Sequence, residues 1–528
     1  MIIPRRIFVR LLFILSLVAF GAGPVASADS VAPESQAAAQ VGKLGGRLKV
    51  ELKKQGFEVG EGYFQLWRID DCPDSFAVME TCFFNNPTAP YVLPVVPYWE
   101  EEYVDPATQG AFGPTREGYG TTFRLDPNEA IVIFGFLPPQ AAYFGQQSYL
   151  FTRKGEHQTD NTTYEFLSAL KAAEVFFHKV PDNLERVVTF DSLSDSNNNV
   201  VIERQSGSVW NQFRYFIITP DRHMDRTVRQ VLHKLSVAKK DIFTEGIPSN
   251  MRIGLDADAD EFMTGLRYSM PADGGEPGAP SDLWRHDPTM RVLRIRDTWP
   301  NRPSQRYPAW EDDSPEARTA VPEAYLKDDL KALVYEVSER WEQPLVDDAD
   351  WKKRALPFID TQGYPFNMVG PLCDNIGMDC QGDTQDASYQ FRPGLGFDSG
   401  EVHAVIGTLG TATGNATYVS LGLNNFRLRL GAKNVEGTKL VGSATEAFYG
   451  DVANLDKLYV YYFTRDCKGL EELTHGFCTS VEDKELVIPT GIKASIVERD
   501  YLKVGTQRGP DSTKTLPSMV LTLHVPAP

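Results

Sequence analysis

Residues 322–342 read PEAYLKDDLKALVYEVSERWE, and the chain changes character across them. Leu326, Leu330, Leu333, Val334, Val337 and Trp341 recur every three or four residues, the spacing of one helix face. Pro322 suits a first turn, where its missing N–H costs nothing, and Pro344 ends the run. Only one side is apolar, so this helix is expected to lie on a sheet.

Upstream, helices alternate with strand-like runs. Tyr164–Phe177 carries Phe166, Leu167, Leu170, Ala173 and Phe177 at helical spacing. Asp221–Lys240 carries Met224, Val228, Val231, Leu232 and Leu235, with Asp221 or Thr219 available as N-cap. Strands are expected at Arg47–Leu52, Tyr63–Ile69, Ala130–Leu137, Gln147–Arg153, Arg186–Phe190, Val200–Glu203, Phe213–Thr219 and Met290–Arg296. Proline density predicts loops over 271–289 and 297–321.

Downstream, helical periodicity stops. Glu401–Gly407, Ala416–Asn424, Phe426–Leu430, Leu458–Thr464 and Met519–Val525 alternate or run apolar, so residues 355–528 read as wholly β. The expected fold is mixed α+β: a sheet-rich domain over 47–350 with about three packed helices, then an all-β, sandwich-like domain over 351–528.

The N-terminus carries an address. Arg5, Arg6 and Arg10 precede an apolar run from Leu11 to Phe20, and Ala26-Ser27-Ala28 supplies small residues for cleavage, so residues 1–28 read as a signal peptide. Arg5-Arg6-Ile7-Phe8-Val9-Arg10 also resembles a twin-arginine export signal. Residues 29–46, rich in Ala, Ser, Gln and Gly, read as a flexible leader. No later apolar stretch is long enough to span a bilayer, so a secreted or periplasmic protein without a membrane span is expected.

Cleavage would leave 50 Lys and Arg against 71 Asp and Glu, a net charge of −21 over 500 residues. Such a surface repels phosphate backbones and anionic lipids, which disfavours nucleic-acid and membrane-surface partners. The six cysteines form three near pairs: Cys72 with Cys82, Cys373 with Cys380, and Cys467 with Cys478. An oxidising compartment and short separations favour these local disulfides over zinc, despite His475 between the last two.

Three stretches could carry chemistry. Phe190-Asp191-Ser192-Leu193-Ser194-Asp195-Ser196-Asn197-Asn198 resembles the first block of the GDSL (SGNH) hydrolases. That resemblance implies Ser192 as nucleophile, with His286 in Trp284-Arg285-His286-Asp287-Pro288-Thr289 as its histidine. Phe190 stands where the family has glycine, Asp282 is one residue too far from His286 to match the closing block, and no Gly-x-Asn-Asp block lies between. The plainer reading is a polar loop whose Asp, Ser and Asn side chains fold back on their own backbone.

Asp256, Asp258 and Asp260 alternate in a way that suits calcium, although Glu261 stands where an EF-hand needs Gly. The alternative is an acidic approach to a short helix, Glu261–Tyr268. Gly407–Gly414 reads as a hairpin loop rather than a phosphate cradle. Asn161 and Asn415 head glycosylation sequons. No Gly-x-Ser-x-Gly, His-Glu-x-x-His or Walker loop occurs.

Three functions remain. The favoured one is a binding or interaction protein whose β domain presents loops to a small molecule or glycan around an apolar or aromatic pocket; the others are a secreted serine hydrolase and a calcium-stabilised structural protein. The cysteine reading has a direct check. Alkylation of the exported protein, unfolded without reductant, should modify none of the six thiols, whereas six modified thiols would contradict an oxidised framework.

Overall fold

The structure is a computed structural model that describes residues 33–299, 302–310 and 318–525. The expected signal peptide lies outside these residues. The chain is mixed α+β and rich in sheet, with four sheets.

Sheet I has five strands in the order Phe57–Glu61, Met290–Asp297, Glu129–Phe136, Phe213–Thr219 and Ile242–Gly246. All neighbours are antiparallel except the last pair. Sheet II follows the path Tyr63–Trp67, Tyr91–Pro97, Glu261–Pro271, Ala141–Lys154, Asn183–Ser192 and Lys179–Val180. Sheet III orders Ala355–Pro357, Met519–His524, Glu401–Thr408, Leu458–Thr464 and Cys478–Ser480. Sheet IV orders Ile359–Asp360, Ala387–Leu395, Ala494–Tyr501, Tyr418–Asn425 and Leu430–Glu436.

These elements stack in layers. Ile131, Ile133, Phe216 and Val292 of sheet I meet Val92, Leu150, Phe262 and Leu266 of sheet II. The other face of sheet I, with Val132, Phe134 and Ile217, is covered by helices Pro33–Lys54 and Arg222–Lys234. Sheets III and IV pack together through Val405, Tyr459 and Val520 against Val419, Leu421 and Ile496. Helix Lys327–Arg340 covers the far side of sheet III, burying Leu330, Leu333, Val334, Val337 and Trp341 against Ala404, Val460 and Leu521. The remaining faces of sheets II and IV look toward each other. Each strand alternation sends one set of side chains into a sandwich and the other toward this central gap.

Several expected elements differ. Residues 33–54 are helical, not a leader followed by a strand. Val41, Leu44, Leu48 and Leu52 follow helical spacing and pack on sheet I, and Gly45 permits close approach, since a Cβ there would lie 3.2 Å from the Phe134 ring. The glycines that suggested flexibility instead bring helix and sheet together. Val200–Glu203 lies in helix Asn199–Ser206, because the Asn198 side chain accepts from the Val200 and Val201 N–H groups and caps it. Glu261–Tyr268 is strand, not helix. Helix Pro280–His286 interrupts the loop expected over 271–289, anchored by buried Trp284.

The helix expected over Tyr164–Phe177 breaks into Thr162–Ala169 and Ala173–Phe176. Residues 355–528 are not wholly β: short helices such as Gly370–Ile376 interrupt them. The boundary expected near 350 falls inside helix Asp348–Arg354. Among the described residues, no helix is long and apolar enough to cross a membrane.

Three disulfides form, Cys72–Cys82, Cys373–Cys380 and Cys467–Cys478.

Trp341 is fully buried and packs on the Tyr462 ring of sheet III, centroids 5.6 Å apart. Trp341→Ala should therefore cost about 3–5 kcal/mol in urea unfolding. A loss below about 1 kcal/mol would show that this helix does not seal sheet III.

Candidate functional site

Between sheets II and IV lies a cavity of about 70 Å³, within about 690 Å³ of atom-free space once its open mouth is counted. Its walls are largely aromatic: Phe84, Tyr91, Phe176, Tyr389, Phe391 and Tyr501. Arg267, Arg499 and Asp383 are the charged residues lining it.

Strand geometry places the two arginines. In Glu261–Pro271, Phe262, Leu266 and Tyr268 face sheet I, so Arg267 faces the gap. In Ala494–Tyr501, Ile496 enters the sheet III/IV core, which turns Val497, Arg499 and Tyr501 to the gap. Each arginine stands opposite a cavity tyrosine on the neighbouring strand, Arg267 beside Tyr91 and Arg499 beside Tyr389. The Arg267 guanidinium lies 5.6 Å from the Tyr91 ring centroid and 5.4 Å from that of Tyr149, within cation–π range. Gly422 clears space for Arg499, because a Cβ there would sit 2.7 Å from Nη1.

Both side chains are nearly sealed, Arg267 at 7% and Arg499 at 4% exposure. Neither has a carboxylate partner among the described residues. Arg267 Nη2 donates to the Gly382 carbonyl at 2.6 Å, and Arg499 Nη2 donates to the Phe84 carbonyl at 3.0 Å. Arg499 Nη1 is buried with no hydrogen-bond partner. A guanidinium stays protonated at any physiological pH, so both positive charges persist in the cavity wall.

The two anchoring carbonyls belong to disulfide-braced loops. Phe84 follows the Cys72–Cys82 bridge, and its loop docks on the sheet IV edge: Cys82 N–H donates to Leu428 O and Phe84 N–H to Arg429 O. Gly382 follows the Cys373–Cys380 bridge, and its loop docks on the end of sheet II: Cys380 N–H donates to Thr189 O and Gly382 N–H to Phe190 O. Phe84 (φ 44°) and Gln381 (φ 55°), one on each loop, hold left-handed backbone conformations that non-glycine residues avoid. Such strain persists only where surrounding contacts enforce it.

Asp383 closes one end. Its Oδ1 accepts from Ser192 N–H at 2.7 Å, and its Oδ2 accepts from Ser192 Oγ at 2.8 Å and Gly370 N–H at 3.2 Å. Burial pushes its carboxyl up to about 6, against the opposing effect of the Ser192 hydrogen bonds and the Arg267 charge. Nearby Asp191 is also pushed up, first by burial and then by Asp383. A carboxyl with this setting can hold or release a proton near neutrality, yet its oxygens are occupied by protein donors.

The sequence candidates fall elsewhere or play other parts. Ser192 ends strand Asn183–Ser192, fully buried, and its hydroxyl donates to Asp383 rather than to a histidine. His286 sits at the surface beside Asp282 and Arg68. The structure does not bring these two together as a nucleophile and base. Asp260 pairs with Arg153, Asp258 pairs with Lys154, and Asp256 accepts from the Asp258 and Ala259 N–H groups. Among the described residues, no three His, Cys, Asp or Glu side chains converge as metal ligands.

Gly407–Gly414 is not a hairpin loop; it carries the single helical turn Gly410–Thr413 between strands of different sheets. Asn161 caps helix Thr162–Ala169. Asn415 is buried and donates to Glu323 and to the Val321 carbonyl, so its amide has no room for a glycan. The aromatic residues Tyr459, Tyr461, Tyr462 and Phe463 pack in the cores around sheet III.

Sequence reasoning missed both arginines. The signal available at Arg267 was an arginine among the mostly apolar residues of Phe262–Tyr268, where strand alternation forces burial, whereas Glu498 and Asp500 on either side of Arg499 gave it the look of a solvated stretch.

Asp383 gives stability a pH dependence. With its folded pKa raised from 3.8 to about 6, the folded state keeps the extra proton between these values. Its contribution is fully present below pH 3.8 and lost as pH rises through 6. In urea unfolding, the advantage of the wild type over Asp383→Asn should shrink by about 2 kcal/mol between pH 4 and pH 7. Parallel curves would show that burial does not strain this carboxylate.

No family model matches the chain, and no curated protein matches it. A crystal structure of an uncharacterized protein from Burkholderia cenocepacia is similar to it along 94% of this chain and 92% of the other, at 10% identity and a TM-score of 0.34. A likeness of that size transfers neither fold nor function.

Proposed function

We propose that this chain is an extracytoplasmic binding protein that holds a small molecule in the cavity between sheets II and IV. The observation that carries this reading is the cavity itself: aromatic walls with a few fixed polar groups, the usual make-up of a small-molecule site. Its lining comes from sheet strands and from two loops closed by disulfides, so the walls are largely organised before a ligand arrives. Ser192 without a histidine neighbour speaks against hydrolysis at this site. The three local disulfides fit an oxidising compartment, in keeping with the export reading.

Ala89 is a small, buried part of the wall, so a larger side chain there projects into the space. The neutral dye N-phenylnaphthylamine should bind saturably with one site per chain, and Ala89→Leu should weaken it at least about tenfold while the fold is kept, as judged by circular dichroism. Absence of saturable binding, or binding unaffected by Ala89→Leu, would overturn the reading.

A further inference from the structure

The cavity carries an electrostatic imbalance. Of its lining residues, two are permanently cationic and one is acidic. Asp383 forms no ion pair with either arginine, since its oxygens accept from Ser192 and Gly370, and it offsets one of the two charges only through space. Each guanidinium spends one N–H on a backbone carbonyl, and Arg499 Nη1 has no partner. The hydroxyls of Tyr91 and Tyr389, which stand opposite the arginines, make no hydrogen bond among the described residues.

Burying an uncompensated charge is costly, and an unmade charged hydrogen bond in a dry site more so. This is a strongly acidic chain, with 71 Asp and Glu, yet among the described residues neither of these two buried arginines meets a carboxylate. Elsewhere it supplies one: buried Arg294 is met by both Glu102 and Glu129, and Arg153 by Asp260. Buried Arg124 likewise meets no carboxylate among the described residues, so what sets Arg267 and Arg499 apart is that they border the cavity.

Resting on the binding reading above, we infer that the ligand is a small monoanion with an aromatic or apolar body, a carboxylate by chemistry, received between Arg267 and Arg499. The aromatic walls take the body, and the guanidinium N–H groups with the Tyr91 and Tyr389 hydroxyls take the carboxylate oxygens. A single negative charge fits the local count. With Asp383 ionised, the lining carries one net positive charge, which a monoanion cancels and a phosphate dianion would overshoot.

The test compares two probes of equal shape, naphthoate and naphthamide, each competing against N-phenylnaphthylamine. Naphthoate should displace the dye at a concentration about tenfold to a hundredfold lower than naphthamide, the usual gain of a charge-assisted hydrogen bond. In Arg267→Gln and in Arg499→Gln that ratio should fall toward one, and Arg→Lys at either position should retain part of it. Equal displacement by the two probes in the wild type, with the dye still bound in the cavity, would overturn the anion inference and leave the binding reading standing. Failure of the dye itself to bind would overturn the binding reading. The wild-type comparison needs no variant, so a glutamine substitution that fails to fold does not remove the test.

Discussion

Two guanidinium groups buried between facing sheets, without carboxylate partners among the described residues, set the terms for the centre of this protein. Removing a charge from water is tolerable only if its surroundings replace the lost hydration. Here that replacement is partial. Each arginine keeps one carbonyl contact, at Gly382 or Phe84, and the Arg267 guanidinium also faces the Tyr91 and Tyr149 rings. Those carbonyls must be held in place, and both belong to loops fastened by a disulfide and hydrogen-bonded to the end of sheet II or the edge of sheet IV. The bridges at Cys72–Cys82 and Cys373–Cys380 thereby join the covalent framework to the chemistry of the cavity. The third, Cys467–Cys478, braces the edge of sheet III away from it.

The layered stack explains why the cavity lies where it does. Sheet I is backed by helices and sheet II, and sheet III by sheet IV and helix Lys327–Arg340, so their faces are fully occupied by packing. Only the inner faces of sheets II and IV remain to meet each other. Aromatic clusters fill much of that contact, with Phe83, Phe112, Phe151 and Phe190 on one side and Tyr143, Tyr418 and Tyr501 on another. The space left between them is bordered by groups that packing alone does not require.

Much of the fold could be read from periodicity. The apolar faces expected over Pro322–Glu342 and Asp221–Lys240 lie on the shorter helices Lys327–Arg340 and Arg222–Lys234, with Asp221 as the N-cap of the latter and Pro322 ahead of the first turn rather than in it. The three sulfur pairs were legible from spacing and compartment. Failures arose where tertiary contacts outweighed local composition: glycines in residues 33–54 serve close packing, and Asn198 caps a helix whose valines favour strand. The cavity was almost wholly illegible. Its residues come from stretches between Phe84 and Tyr501, and no short motif joins residues brought together by two separate sheets. Local motifs drew attention to Ser192 instead, a residue at the cavity's edge that positions Asp383 through its N–H and hydroxyl.

The account's central claim is that an anionic group completes the hydration shell missing from Arg267 and Arg499. A crystal structure of the protein grown with naphthoate tests this most directly. The claim predicts the naphthalene ring between the aromatic walls and carboxylate oxygens within hydrogen-bond distance of both guanidinium groups. A ring bound in the cavity with its carboxylate turned to solvent, or a cavity filled by protein side chains alone, would contradict it.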